Sequence, residues 1–104
     1  DVTDNGNVTT TDITAANITG TGNLNISKDT DAYAEIGRAH VGYIGHSDYA
    51  GFSHIDRNNG SDYALLQDQY GTTIINSAAS KQIRFGINNT NVGVWDSAGK
   101  FGNS

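Results

Sequence analysis

Apolar residues are sparse at the start of the chain. Val8, Ile13, Ile18 and Leu24 recur at intervals of five or six positions, with Ile26 close behind, and Thr, Asn, Asp, Ala or Gly fill the gaps. This is too thin for an amphipathic helix, and Gly20-Thr21-Gly22 would break one. It predicts very short β segments separated by tight turns, the rhythm of β-helices and related solenoids. Texture changes near Asp31, where Tyr, His and Arg first appear and Gly37, Gly42 and Gly45 punctuate the apolar pieces Ala34-Glu35-Ile36, Val41 and Tyr43-Ile44. Ala50-Gly51-Phe52 is a further apolar piece, and Leu65-Leu66 and Ile74-Ile75 read as two more short strands. The clearest strand is Ile83-Arg84-Phe85-Gly86-Ile87-Asn88, whose alternation puts Ile83, Phe85 and Ile87 on one face. Val92-Gly93-Val94-Trp95 alternates more weakly and leads through the turn Asp96-Ser97-Ala98-Gly99 to Lys100-Phe101. The fold class expected is all-β, in pieces of three to six residues.

Two further patterns bear on organisation. Ser47-Asp48-Tyr49-Ala50 and Ser61-Asp62-Tyr63-Ala64 are the same tetrapeptide, which suggests one structural unit used twice. Between them, Asn59-Gly60 is the favoured pair for a type I′ hairpin turn, and Asn5-Gly6 invites the same reading.

Composition sharpens this picture. Gly (13), Asn (12), Thr (11) and Ser (8) make up 44 of the 104 residues, and these are turn formers or competitors of helix hydrogen bonding. Ile (10), Val (5), Leu (3) and Phe (3) make up only 21, close to the roughly 20% level below which chains tend not to fold. Charged residues are few, at 16%, so self-repulsion does not oppose folding. Ordering a residue costs about 1–2 kcal/mol, whereas a buried Ile or Leu returns only about 1.5–3 kcal/mol, so a lone copy has an unfavourable balance. Short strands also leave edges that must be covered. Several copies sharing one core would meet both needs. Around a three-fold axis each chain contributes one apolar side chain per layer, so the expectation is an elongated homotrimeric fibre, an intertwined triple-stranded β-helix with tight Gly/Asn turns. A slender shaft would occupy residues 1–31 and a broader β-rich part residues 32–104. The shared core is expected to draw on Ile18, Leu24, Ile26, Ile36, Ile44, Phe52, Leu65, Ile83, Phe85 and Ile87.

The residues that carry the pattern also carry a resemblance. Asn17-Ile18-Thr19-Gly20-Thr21-Gly22-Asn23-Leu24-Asn25-Ile26 resembles shaft repeats of trimeric tailed-phage fibres and related viral attachment proteins. The stretch from Ile36 to His54, continued through Arg57 and Ser61-Asp62-Tyr63-Ala64-Leu65-Leu66-Gln67, is similar to a module of such fibres and of chlorella-virus surface proteins. Val94 to Asn103 is similar to the segment that precedes a cleavable intramolecular chaperone, and the chain reads as a piece cut from a longer fibre. The resemblance implies a virion fibre, extracellular, that grips a host cell-surface glycan or receptor. Alternatives on the same scaffold are a polysaccharide depolymerase and a non-viral bacterial β-solenoid adhesin.

Candidate chemistry is modest, and no enzyme is expected. Trp95, Tyr70, Tyr43 and His46 are the candidate glycan contacts, because a flat ring offers apolar area to a sugar's C–H face. Tyr49 and Tyr63 are assigned to packing by their repeated context. Asp48 and Asp62, with Glu35, could pose as a glycosidase carboxylate pair, but turn capping is the simpler role. Arg57 is expected to form an inter-chain ion pair with Asp56 or Asp62. His40, His46 and His54 lack close ligand spacing, Asp29-Thr30-Asp31 and Asp4-Asn5-Gly6 are fragments of calcium loops, and there is no Cys, so no metal or cofactor is expected. The Asn-x-Ser/Thr triplets at Asn7, Asn17, Asn25, Asn59 and Asn88 follow from composition. A net charge of −5 with six scattered Lys and Arg argues against nucleic acid, and no apolar run could insert in a membrane.

Overall fold

The computed structural model describes residues 12–103. These are all-β, with eight short strands, a single 3₁₀ turn at Ile55–Arg57 and no α-helix among the described residues. Strands β1 (Tyr33–Ile36), β2 (Ala39–Gly42), β3 (Ala50–His54), β4 (Leu65–Gln67) and β5 (Thr73–Ile75) form a five-stranded antiparallel meander. Strands β6 (Ile83–Ile87), β7 (Thr90–Trp95) and β8 (Phe101–Gly102) form a second, three-stranded antiparallel sheet. Residues 12–32 contain no strand, and Ile13, Ile18, Leu24 and Ile26 are all exposed there. The β pieces expected along this stretch are therefore not formed by one copy, which offers them no neighbouring strand. Val8 and Asn5-Gly6 lie outside the described residues.

Turn chemistry sets the register. Ile36 pairs with Ala39 across a two-residue loop whose first member, Gly37, has φ 60°, as a type II′ turn requires. Ile87 pairs with Thr90 across Asn88-Asn89, both at positive φ (48° and 60°), which is a type I′ turn. The pair Asn59-Gly60 does not make the hairpin expected of it. It lies in the ten-residue connection from β3 to β4, where Asn59 Oδ1 accepts from the backbone N–H of Ser61 (3.0 Å) and Asp62 (2.9 Å).

The β4–β5 and β7–β8 hairpins share one construction. In Asp68-Gln69-Tyr70-Gly71-Thr72 and Asp96-Ser97-Ala98-Gly99-Lys100, the Asp Oδ1 accepts from the N–H groups two and four residues on, all at 2.9 Å. The glycine at the fourth position donates to the Asp carbonyl in both loops.

The larger sheet is patterned inside out. Its inner rows are Tyr33, Gly42, Gly51, Leu66 and Ile74, and beside them Glu35, His40 and Ser53. Only Leu66 and Ile74 there are aliphatic. The paired glycines make room for the loop after β2, which folds back so that Ile44 lies on Gly51. A Cβ on Gly51 would come within 2.7 Å of Ile44 Cδ1. Ile44, Tyr63 and Leu66 form the small core, with Tyr49 and Ile74 packed against it. Tyr43-Ile44, an apolar piece of the sequence, lies in this loop, because Gly42 (φ 120°) ends β2 and turns the chain inward.

Two substitutions test this packing. At Gly42 a Cβ would sit 2.5 Å from the Ala32 carbonyl oxygen and 2.9 Å from Tyr33 Cα, in a backbone conformation closed to other residues. Gly42→Ala is expected to cost about 3 kcal/mol or more, read as a fall in the urea midpoint. Ser53 is fully buried and its hydroxyl has no partner among the described residues. Removing an unsatisfied buried hydroxyl removes a desolvation cost, so Ser53→Ala is expected to raise stability by about 1 kcal/mol. A loss of stability would mean that Oγ is bonded after all.

Candidate functional site

The opposite face of the larger sheet carries what a core normally contains. Ala34 pairs with Val41, Val41 with Phe52, Phe52 with Leu65 and Leu65 with Ile75. Directly opposed residues share a face, so this is one apolar row across all five strands, about 19 Å long at the usual strand spacing. Val41, Phe52, Leu65 and Ile75 are exposed, as is Ile36 one row away.

The smaller sheet repeats the arrangement. Ile83 opposes Trp95, Phe85 opposes Gly93 and Trp95 opposes Phe101, which puts all of them on one face. The Phe85 and Phe101 rings meet edge to face at 5.9 Å, and Trp95 and Phe101 meet at 5.4 Å. Phe101 reaches over Gly93, where a Cβ would be only 3.3 Å from its Cζ. Each of the three rings remains more than 40% exposed. Trp95 and Phe85, read from sequence as a sugar contact and a core residue, belong to the same patch.

Of the residues expected in a shared core, Ile44 is only 1% exposed and is used up inside its own chain. Ile83 is half-buried, while Ile18, Leu24, Ile26, Ile36, Phe52, Leu65, Phe85 and Ile87 are exposed. Among the described residues, seventeen large hydrophobic side chains are exposed against three buried. Isolated exposed apolar residues are ordinary, but contiguous rows of them mark interaction surfaces.

The repeated tetrapeptide occupies equivalent places. Ser47-Asp48 and Ser61-Asp62 are turns, and the Tyr-Ala that follows leads into the neighbouring strands β3 and β4. Tyr49 and Tyr63 both point to the core and flank His46, at ring separations of 5.6 and 5.9 Å. His46 Nε2 donates to the Gly60 carbonyl (2.9 Å), so this ring ties the two units together. Tyr70 stands alone on the β4–β5 turn, strongly exposed.

The carboxylates have local tasks. Asp62 Oδ2 accepts from Arg57 Nη1 (3.3 Å) and Asn59 Nδ2 (3.2 Å), so the expected inter-chain pair of Arg57 is made within the chain. Asp48 is held by its backbone, whose N–H donates to Asp31 Oδ1 (3.1 Å). Glu35 Oε2 lies 3.1 Å from His40 Nδ1. His54 Nδ1 accepts from the Asp56 N–H. Among the described residues no cluster of three or more His, Asp or Glu could hold a metal, and no helix is long and apolar enough to cross a membrane.

One cleft on the inner side brings aromatic and amide groups together. It has a volume of about 400 Å³ and is lined by Tyr33, His40, Tyr43 and the Asn58–Gly60 turn. Compared with known protein families, curated proteins and solved structures, the chain matches none. Its function is therefore argued from these surfaces.

Proposed function

We propose that the chain is a structural and adhesive segment of a homotrimeric virion fibre that attaches the particle to a host cell surface through a glycan. The observation that carries the trimer is the inverted patterning of the five-stranded sheet. His40, Ser53 and two glycines face inward while Val41, Phe52, Leu65 and Ile75 face out in one continuous row. Leaving such a row in water forgoes about 1.5–3 kcal/mol for each large side chain, and covering it with other copies recovers that. The Phe85, Trp95 and Phe101 patch is a second surface of the same kind. Its three rings pack on one another and stay exposed, so burial against another copy suits Trp95 better than a sugar does. Ile13, Ile18, Leu24 and Ile26, spaced along a strandless stretch, suit strand pairing between copies. The viral, host-binding context rests on the sequence resemblance.

The test applies the purified chain to an array of cell-surface polysaccharides and assays the same polysaccharides for new reducing ends. Retention without new reducing ends is expected. New reducing ends would make the chain a depolymerase, and no retention on any polysaccharide would remove the adhesive role.

A further inference from the structure

We infer that the cleft between Tyr33, Tyr43 and the Asn58–Gly60 turn is a subsite for one uncharged sugar ring. This rests on the adhesive reading and names the chemistry of its ligand. A volume of about 400 Å³ lies at the small end of ligand sites, room for one ring and its substituents and too little for a buried oligosaccharide.

The walls are held in place before any ligand arrives. Tyr33 stacks on the His40 ring, with centroids 4.5 Å apart and planes 26° from parallel. His40 is itself buried, and its Nε2 donates to the Tyr43 carbonyl at 2.8 Å, which anchors the loop bearing the second tyrosine. Preset walls reduce the ordering cost of binding. The polar groups of the cleft are left available. Neither tyrosine hydroxyl has a hydrogen-bond partner among the described residues, and the Asn58 amide makes only one long contact, 3.3 Å to His40 Nδ1. Ring faces for C–H groups, with hydroxyl and amide groups at the rim, match the alternating surface of a pyranose.

Charge sets the class. No Asp, Glu, Lys or Arg lines this cleft, and the His40 ring that does line it has both nitrogens engaged, Nε2 by the Tyr43 carbonyl and Nδ1 by the Glu35 carboxylate, so it offers a ligand no free cation. An acidic sugar would bring its carboxylate into a site with no Lys or Arg to pair it. A larger cleft among the described residues, about 710 Å³, is different in kind, because Asp29, Asp31, Asp48 and Asp68 line it together with Lys28.

The experiment is an amide chemical-shift titration of the full chain with methyl α-glucopyranoside, methyl α-mannopyranoside and methyl β-galactopyranoside, and with methyl glucuronoside as the charged counterpart. At least one neutral glycoside is expected to shift the amides of Tyr43, Gly45, Asn58 and Gly60, and the glucuronoside to bind more weakly than the glucoside. Tyr43→Ala and Asn58→Ala should weaken that binding about tenfold, a loss of about 1.4 kcal/mol, whereas Tyr70→Ala should not change it. Asn58 is exposed, so its variant remains informative if Tyr43→Ala unfolds. No shift at these amides with any neutral glycoside, or equal binding of the glucuronoside, would overturn the assignment. Retention on the polysaccharide array that survives Tyr43→Ala and Asn58→Ala would overturn the cleft and leave adhesion standing. Shifts at the cleft without retention of the wild-type chain would do the reverse.

Discussion

Phe52→Asp is expected to abolish assembly. Phe52 sits at the middle of the five-strand row, paired with Val41 on one side and Leu65 on the other, and its ring faces away from the chain's own core. In a single copy the new carboxylate would stay in water, so the substitution spares the packing of Ile44, Tyr63 and Leu66. In a trimer it would place three carboxylates in an apolar seam without partners, at a cost of several kcal/mol each. Phe85→Asp should do the same at the second patch, by placing an unpaired carboxylate in the shared core where the Phe85 ring packs beside Phe101. Lys28→Ala, a change at an exposed position, should be nearly silent. Sedimentation velocity distinguishes these outcomes, and a Phe52→Asp chain that still sediments as the wild type would show that the row is not an interface.

Leu66→Ala is expected to have the largest effect on folding itself. Leu66 is 2% exposed, on the central inner row between Gly51 and Ile74, and is one of only three buried hydrophobic residues among those described. Truncating a buried Leu costs about 2–5 kcal/mol, most where the surroundings cannot collapse. Here the neighbours include the Gly51 backbone and the few side chains of a small core, Ile44, Tyr63 and Ile74, which leave little to move into the space. Against a typical total of about 5–15 kcal/mol, that loss is a large part of the stability and should lower the urea midpoint in proportion. Loss of strand signal in circular dichroism would record it. A variant as resistant to urea as the wild type would show that the small core does not hold the five-stranded sheet together.

Much of the strand pattern was legible in the sequence, and the reasons it was not fully so are local. Ile83 to Ile87 alternates cleanly and forms β6, and the short apolar pieces at Ala34, Val41, Phe52, Leu65 and Ile74 all lie in strands. Asn59-Gly60 carried the stronger turn signal, yet Asn88-Asn89 makes the type I′ hairpin. Positive φ at two successive residues is imposed by the pairing of Ile87 with Thr90, and Asn tolerates it nearly as Gly does. The loops at Asp68 and Asp96 share an Asp-x-x-Gly spacing, but Asp48-Tyr49-Ala50-Gly51 has it too and runs into β3, so the spacing alone does not assign a hairpin. Which face of the larger sheet points inward was not readable from hydrophobicity. Gly42, Gly51 and Ser53 occupy inner positions because Ile44 arrives from a loop and needs their space. The Tyr33–Tyr43 cleft escaped notice for a similar reason, since Tyr33 is brought to Tyr43 by the buried His40 and by no spacing in the chain. The stretch before β1 showed its spacing of apolar residues, but strands along it need partners that one copy does not provide.

All of this turns on whether copies cover the outward row. Sedimentation equilibrium of the wild-type chain at low micromolar concentration measures that directly. The expected result is a single species of three times the 11.0 kDa chain mass that persists on dilution. A folded, stable species of one chain mass would contradict it.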